Sequence, residues 1–358
     1  MIPLHPDQMD AAWIADKLNA PADSLENFHY AAIGTGQMCD SFRLTLNWDE
    51  AVPEVGLPST IIAKCPAMDD ASRHIAKLVR NYELEISWYR DLARQTPVQC
   101  PGCYHAELDD NGVDFALLLQ DCSPAQQGDQ LGGADHAQLS AAITQLANLH
   151  AAHWNSPSLS AYHWLQYGTA NKELVRTMLP ALYTGFRDRY VGRLDERILD
   201  IGQQLSAHIG IYLDKEPSAQ SVVHGDFRLD NLLFANNGNV TVVDWQTVSA
   251  GCPFTDLAYF IGTSIADPEI RRAEEAALFD HYLAQLLERG IAADRERGWQ
   301  DYRLYAFSGL IMAIFASMNV ERTDRGDEMF AVMAERPARQ AIDLESISLL
   351  YGAKAPPL

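Results

Sequence analysis

The chain has 358 residues, room for one large two-lobed domain or two ordinary ones, and its 47% apolar and 21% charged content excludes a disordered or collagen-like chain. Acids outnumber bases 48 to 27, a formal net charge of −21. Such a chain repels phosphate backbones and anionic lipid, so neither nucleic acid nor bare membrane is an expected partner, whereas a cationic or metal-bound ligand fits.

The first twenty residues lack a basic start followed by an apolar run, so no secretory leader is expected and the chain reads as cytoplasmic. Residues 7–18 read as a short helix. Residues 28–33 and 41–48 read as a strand pair around the glycine turn Gly34-Thr35-Gly36. Thr60 to Lys64 is a short apolar strand ending in a lysine. Residues 70–95 carry Ile75, Leu78, Val79, Tyr82, Ile86, Tyr89 and Ala93 at helical spacing, which predicts one long helix. Residues 113–119 read as a further buried strand. The first ~120 residues are therefore strand-rich with one long helix.

Beyond Asp121 the pattern turns helical, over 135–155, 170–216, 268–289 and 297–320. The interruption at 221–248 holds two short apolar runs around an Asn-Asn-Gly turn. The uncharged stretch 304–320, between Arg303 and Glu321, reads as a buried core helix rather than a membrane span. Six cysteines suggest no disulfide framework. Cys100-Pro-Gly-Cys103 lacks the second pair a zinc site needs and reads as a structural turn with reduced thiols. His150 and His153 share the apolar face of their helix with Leu139, Ile143 and Leu146, as core histidines do.

The segment that carries chemistry is His224-Gly-Asp226-Phe-Arg228-Leu-Asp230-Asn231, followed by a short apolar run ending in Asp244-Trp245. Apolar runs that end in acids present them at a sheet edge. Hard oxygen donors suit Mg2+, which takes one or two protein oxygens plus phosphate oxygens, and Asn231 and Asp244 fit that role. Asp226, five residues before Asn231, is left to act as a base. The spacing matches the kinase catalytic loop H-R-D-x-x-x-x-N with Gly225 in place of the arginine. The upstream signals then fall into order. Gly34 and Gly36 let backbone N–H groups approach phosphate oxygens, and Lys64 ends its strand as in the V-A-I-K element. Of the carboxylates on the next helix, Glu85 is better placed than Glu83 to hold that lysine. Cys39 stands where a third glycine would be. His224 reads as an organiser of the loop, and Trp245 and Phe254 are candidates to line an acceptor site.

These motifs resemble the aminoglycoside phosphotransferase-like kinases, in their choline/ecdysteroid-kinase-like branch. The resemblance rests on VVHGDFRLDNLLF, VVDWQTVSAGCPFTDLAYF, NYELEISWYRDLA, ALLLQDC and LANLHAAHW, and spans roughly residues 30–265. It implies an α+β, protein-kinase-like two-lobed fold. The N-lobe, 1–119, would be an antiparallel sheet with one long helix, and the larger C-lobe, 120–358, mainly helical. It implies ATP and Mg2+ as cofactors, Asp226 as base and Arg228 facing the transferred phosphate. Asn231 and Asp244 would be the metal ligands and Lys64 with Glu85 the phosphate-holding pair. Leu119, Gln120, Asp121 and Cys122 would form a hinge contacting adenine, and Asp256 a structural acid tying the catalytic loop to the next helix. The expected activity is phosphorylation of a hydroxyl on a small molecule. A catalytically weak nucleotide-binding scaffold is the alternative, and a protein kinase a more distant one. Only eleven residues separate Asp244 from Asp256, little room for an activation loop, and no A-P-E follows.

Overall fold

The computed structural model describes residues 2–34, 38–50, 56–320 and 322–351, with the backbone alone at 167–171. Gly36 of the glycine turn lies outside the described residues. The chain divides into two units, one of residues 1–95, 99–124 and 243–247, the other of 96–98, 125–242 and 248–358.

In the first unit, α1 (Ala11–Lys17) begins where the Asp10 side chain accepts the Trp13 N–H at 2.7 Å. Strands β1 (Leu25–Ile33), β2 (Cys39–Trp48) and β3 (Thr60–Pro66) follow. Period-two alternation along β2 and β3 turns Phe42, Leu44, Leu46, Ile61, Ala63 and Cys65 to one face, where they pack with Ile14 and Ala15 of α1 and with Leu18, which follows it. Lys64 falls on the opposite face by the same alternation.

The expected long helix is two helices, α2 (Asp70–Leu78) and α3 (Asn81–Ser87), the latter running on into a π-turn at Trp88–Leu92. The break is at Arg80, whose φ of 61° is left-handed. The Asn81 side chain then donates to the Gln246 carbonyl at 2.9 Å, which fixes the start of α3. Apolar residues recur across the break at nearly unbroken spacing, so periodicity alone reads through it. Leu78, assigned to the buried face, is 56% exposed.

Strands β4 (Cys103–Leu108) and β5 (Phe115–Gln120) complete an antiparallel sheet of order β1-β2-β3-β5-β4. β4 has no sequence signal because all six residues are half-buried and nothing alternates. Cys100 lies in the turn before it. All six cysteines are free thiols, and burial pushes Cys100 and Cys103 up to about 12 and about 11, which leaves neither a reactive thiolate.

The second unit holds β6 (Gln126–Gln127), α4 (His136–His153), α5 (Gly168–Tyr190), α6 (Glu196–Ala207) and α7 (Ile209–Asp214). A capping box of Asp135 and Gln138 starts α4. Short strands β7 (Ser221–Val223), β8 (Leu232–Phe234), β9 (Val240–Val242) and β10 (Ser249–Gly251) pair as β10-β7 and β6-β8-β9. Helices α8 (Pro253–Ser264), α9 (Pro268–Glu288), α10 (Arg295–Tyr305), α11 (Ser308–Asn319), α12 (Asp324–Asp343) and α13 (Ser348–Tyr351) close the chain. The helical pattern over 297–320 is α10 and α11, separated at Ala306-Phe307, and the core helix read over 304–320 is α11. Along α11, Gly309, Leu310, Ala313, Ile314 and Ser317 are buried against the helical core. Among the described residues no helix is long and apolar enough to cross a membrane.

Candidate active site

In the first unit, the face of β3 that carries Lys64 meets α3. Lys64 Nζ lies 2.6 and 2.7 Å from the two carboxylate oxygens of Glu85, with both residues buried. Glu83 instead pairs with Arg80, one turn earlier on the chain. Asp244 Oδ1 is 3.1 Å from the same ammonium. Burial opposes the Lys64 charge, but the facing Cys39, Glu85 and Asp244 outweigh it and hold the amine protonated well above its ordinary range. Gln246 Nε2 donates to Cys39 Sγ at 3.1 Å and to Glu85 Oε2 at 3.4 Å, steadying the pair from one side. Burial pushes the Cys39 thiol up to about 11.

Asp244 has a φ of 66°, a left-handed conformation that a non-glycine residue adopts at some cost, of the order of 1–3 kcal/mol. Such strain collects at functional positions. Gly34, at the start of the glycine turn, is also left-handed with a φ of 73°, and there glycine carries no such cost. Trp245 is fully buried and stacks on Trp88, with ring centres 3.7 Å apart. It therefore belongs to the core and does not line an acceptor site.

The expected hinge begins as the end of β5. Leu119 and Gln120 sit in the strand, and the Gln120 N–H is donated to the Gly102 carbonyl at 2.7 Å. Asp121 accepts from Arg43 Nε at 2.7 Å and from the Ser123 N–H at 3.0 Å. Although burial opposes it, these bonds hold its carboxyl below the usual range. Cys122 donates its thiol to the Gln120 carbonyl at 3.8 Å.

In the second unit the segment after β7 folds on itself. Gly225 has a φ of 83°, which explains a glycine where a kinase loop has arginine. The Asp226 carboxylate is held from both sides. Oδ1 accepts from the Tyr259 hydroxyl at 2.6 Å, and Oδ2 from Asn231 Nδ2 at 2.9 Å and Arg228 Nε at 3.2 Å. Asn231 Nδ2 also donates to the Asp226 carbonyl at 2.9 Å. Arg228 bridges Asp226 and Asp230. The Asp226 N–H donates to His224 Nδ1 at 3.3 Å, so His224 organises the loop.

Asp256, fully buried on α8, accepts the backbone N–H of His224 at 2.6 Å and of Gly225 at 2.9 Å. His150 Nε2 lies 3.3 Å from it, and His150 Nδ1 meets the Tyr282 hydroxyl at 2.7 Å. His153 bonds Thr96 Oγ1 at 2.9 Å, and burial lowers its pKa. Both histidines are core residues. Phe254 is buried against Phe279 and Tyr282 and lines no acceptor site either. Asp256→Ala would orphan two loop N–H groups. Each unsatisfied donor costs about 1–3 kcal/mol, so a stability loss of about 3 kcal/mol or more is expected by chemical denaturation, with partial recovery in Asp256→Asn. A loss under about 1 kcal/mol would remove Asp256 from its anchoring role.

Asp244 and Asn231 are each of a donor type that Mg2+ takes, a carboxylate oxygen and a carboxamide oxygen. Among the described residues no three His, Cys, Asp or Glu side chains are grouped to hold a metal. Because Asn231 commits its amino group to Asp226, its amide oxygen is the atom it can offer a cation. Tyr259 and Gln246 escape a reading of the sequence. Tyr259 is signalled only by its place three residues after Asp256, on the same side of a helix, and Gln246 only by following Asp244-Trp245.

A family model described as "Phosphotransferase enzyme family" matches residues 70–304. Over 60 residues, 16% of this chain, the sequence is 38% identical to acyl-CoA dehydrogenase family member 11 of Homo sapiens, covering 8% of that protein. Its Gallus gallus counterpart is 26% identical over 185 residues, 46% of this chain and 20% of that protein. The matches thus span a fifth or less of these curated relatives. Among solved structures, the GDP and kanamycin complex of APH(2")-IIia is similar with a TM-score of 0.54 at 14% identity, covering 95% of this chain and 99% of that one. The ethanolamine kinase of Plasmodium vivax is similar with a TM-score of 0.52 at 9% identity, covering 87% and 83%. At such identities the likeness is one of fold.

Proposed function

Since the chain belongs to the phosphotransferase enzyme family, we propose that it transfers the γ-phosphoryl group of ATP to a hydroxyl of a small molecule. The observation that carries this reading is the Asp226 cluster: a carboxylate held by Tyr259, Asn231 and Arg228 on a loop whose backbone Asp256 fixes. Phosphoryl transfer asks little covalent chemistry of a protein and much positioning and charge compensation.

Lys64, held by Glu85, is the group for the α- and β-phosphates, and Gly34, left-handed at the end of β1, would let its backbone approach them. Adenine would be read by backbone groups following β5, around Asp121 and Cys122, since Gln120 spends its N–H on Gly102. Asn231 and Asp244 would be the residues to hold magnesium, whose positive charge would offset that of the phosphates. Asp226 orients the acceptor hydroxyl and takes its proton as the new O–P bond forms and the bond to the β,γ-bridging oxygen breaks. Arg228 supplies positive charge to the group in flight.

A compact acceptor is supported by the chain after Asp244. It enters β10 and then α8 at Pro253, leaving no length for the extended platform on which a protein substrate lies. The kanamycin and ethanolamine named for the two similar structures are small hydroxyl compounds. The test is incubation with labelled ATP and cell lysate, separated at about 3 kDa, a cutoff above ligands of pocket size, with Asp226→Asn as the blank. Label is expected in the small fraction. Asp226-dependent label mainly in protein bands would reject the small-molecule acceptor.

A further inference from the structure

We propose that Tyr259 is a positioning residue for Asp226, pinning its carboxylate in the one rotation that presents the other oxygen to the acceptor. The inference rests on the phosphotransferase reading above and adds a residue to it. A carboxylate turns easily about its last bond, whose energy profile is broad and two-fold. The backbone places Asp226, but something further must fix the plane of its two oxygens. α8 does both. Asp256 accepts the N–H groups of the two residues before Asp226, and Tyr259, three residues further along α8, donates to Asp226 Oδ1 at 2.6 Å. Positions three apart share a helix face, so one rigid, buried helix holds both the main chain and the side chain of the base.

The Tyr259 ring is locked in turn. It is 2% exposed and sits in the apolar cluster with Phe307, Leu310 and Ala338. Gly309 of α11 approaches so closely that a Cβ there would lie 3.0 Å from the ring. Burial, helped by the neighbouring Asp226, keeps the phenol protonated well above its ordinary range, so it remains a donor. With Oδ1 occupied, Oδ2 carries the remaining contacts, from Asn231 and more distantly from Arg228 at 3.2 Å. An arginine drawn toward a phosphate would free a lone pair of Oδ2 for the acceptor hydroxyl. Tyr259 keeps its own proton throughout.

Tyr259→Phe removes only the hydroxyl and leaves the ring in its cluster. It is expected to lower kcat about tenfold or more, the scale on which misplacing a reacting group acts, with KM for ATP and acceptor within about twofold. The deciding comparison is made in an Asp226→Ala background, where nothing is left to position. There Tyr259→Phe is expected to have no further effect on the residual rate. Equal fold-losses in both backgrounds, or no loss in either, would overturn the proposal. A second cycle on the same four proteins reads denaturation midpoints. Less-than-additive shifts support the pairing, and strictly additive shifts overturn it even in a protein that turns over no acceptor. Absence of turnover in the parent protein with less-than-additive midpoints would reject the phosphotransferase reading and leave the pairing standing.

Discussion

Asp226→Asn is expected to lower kcat by at least ~10²-fold, the scale that general-base catalysis supplies, with the affinity for Mg·ATP nearly unchanged. The site accommodates the amide without rearrangement. Its oxygen can face Asn231 Nδ2 and Arg228 Nε as Oδ2 does now, and its amino group can face the Tyr259 hydroxyl, which accepts as readily as it donates. Asn231 and Lys64 then keep their places, and only the ability to take a proton is lost. Rapid-quench measurement of the first turnover beside equilibrium nucleotide binding separates the two quantities. An Asn variant that keeps most of its kcat on a genuine acceptor would remove Asp226 from the base role, and a loss confined to nucleotide affinity would assign it to binding instead.

What could be read before the structure follows a physical division. The strands β2, β3 and β5 announce themselves because each has a buried face or a buried run, as in Phe42, Leu44 and Leu46. The nearness of Lys64 to Glu85 is legible because strand alternation and helix angle each fix a direction. The loop from His224 to Asn231 is legible because its chemistry is packed into a few consecutive residues. The helix break at Arg80 is not, because a left-handed arginine has no composition signal and apolar spacing carries on across it. β4 is hidden by uniform half-burial. Trp245 and Phe254 mislead for a related reason. Both stand beside motif residues in sequence, while the rings that absorb them, Trp88 and Phe279, come from distant segments. Tyr259 reads as one more apolar residue of a buried helix until its hydroxyl is seen on Asp226.

The second large effect is expected at Asp244. It carries a full negative charge and Asn231 does not, so its loss should weaken Mg·ATP binding more than loss of Asn231. Because Asp244 has a φ of 66°, replacement by alanine mixes a backbone penalty into the result. Asparagine tolerates the left-handed region well and keeps the shape, so Asp244→Asn isolates the charge. Lys64 remains held in that variant, since Glu85 still meets it at 2.6 and 2.7 Å. Calorimetric titration is expected to show Mg·ATP affinity reduced at least ~10-fold in Asp244→Asn, about 1.4 kcal/mol, and reduced less in Asn231→Ala. The same titration with EDTA in place of magnesium reverses the sign. A carboxylate near phosphates repels them when no cation stands between, so Asp244→Asn should bind metal-free ATP at least as tightly as the parent protein. Were Asp244→Asn to weaken both forms of the nucleotide equally, the residue would be acting through Lys64 or the backbone rather than through the metal. A larger loss at Asn231 would exchange the two assignments.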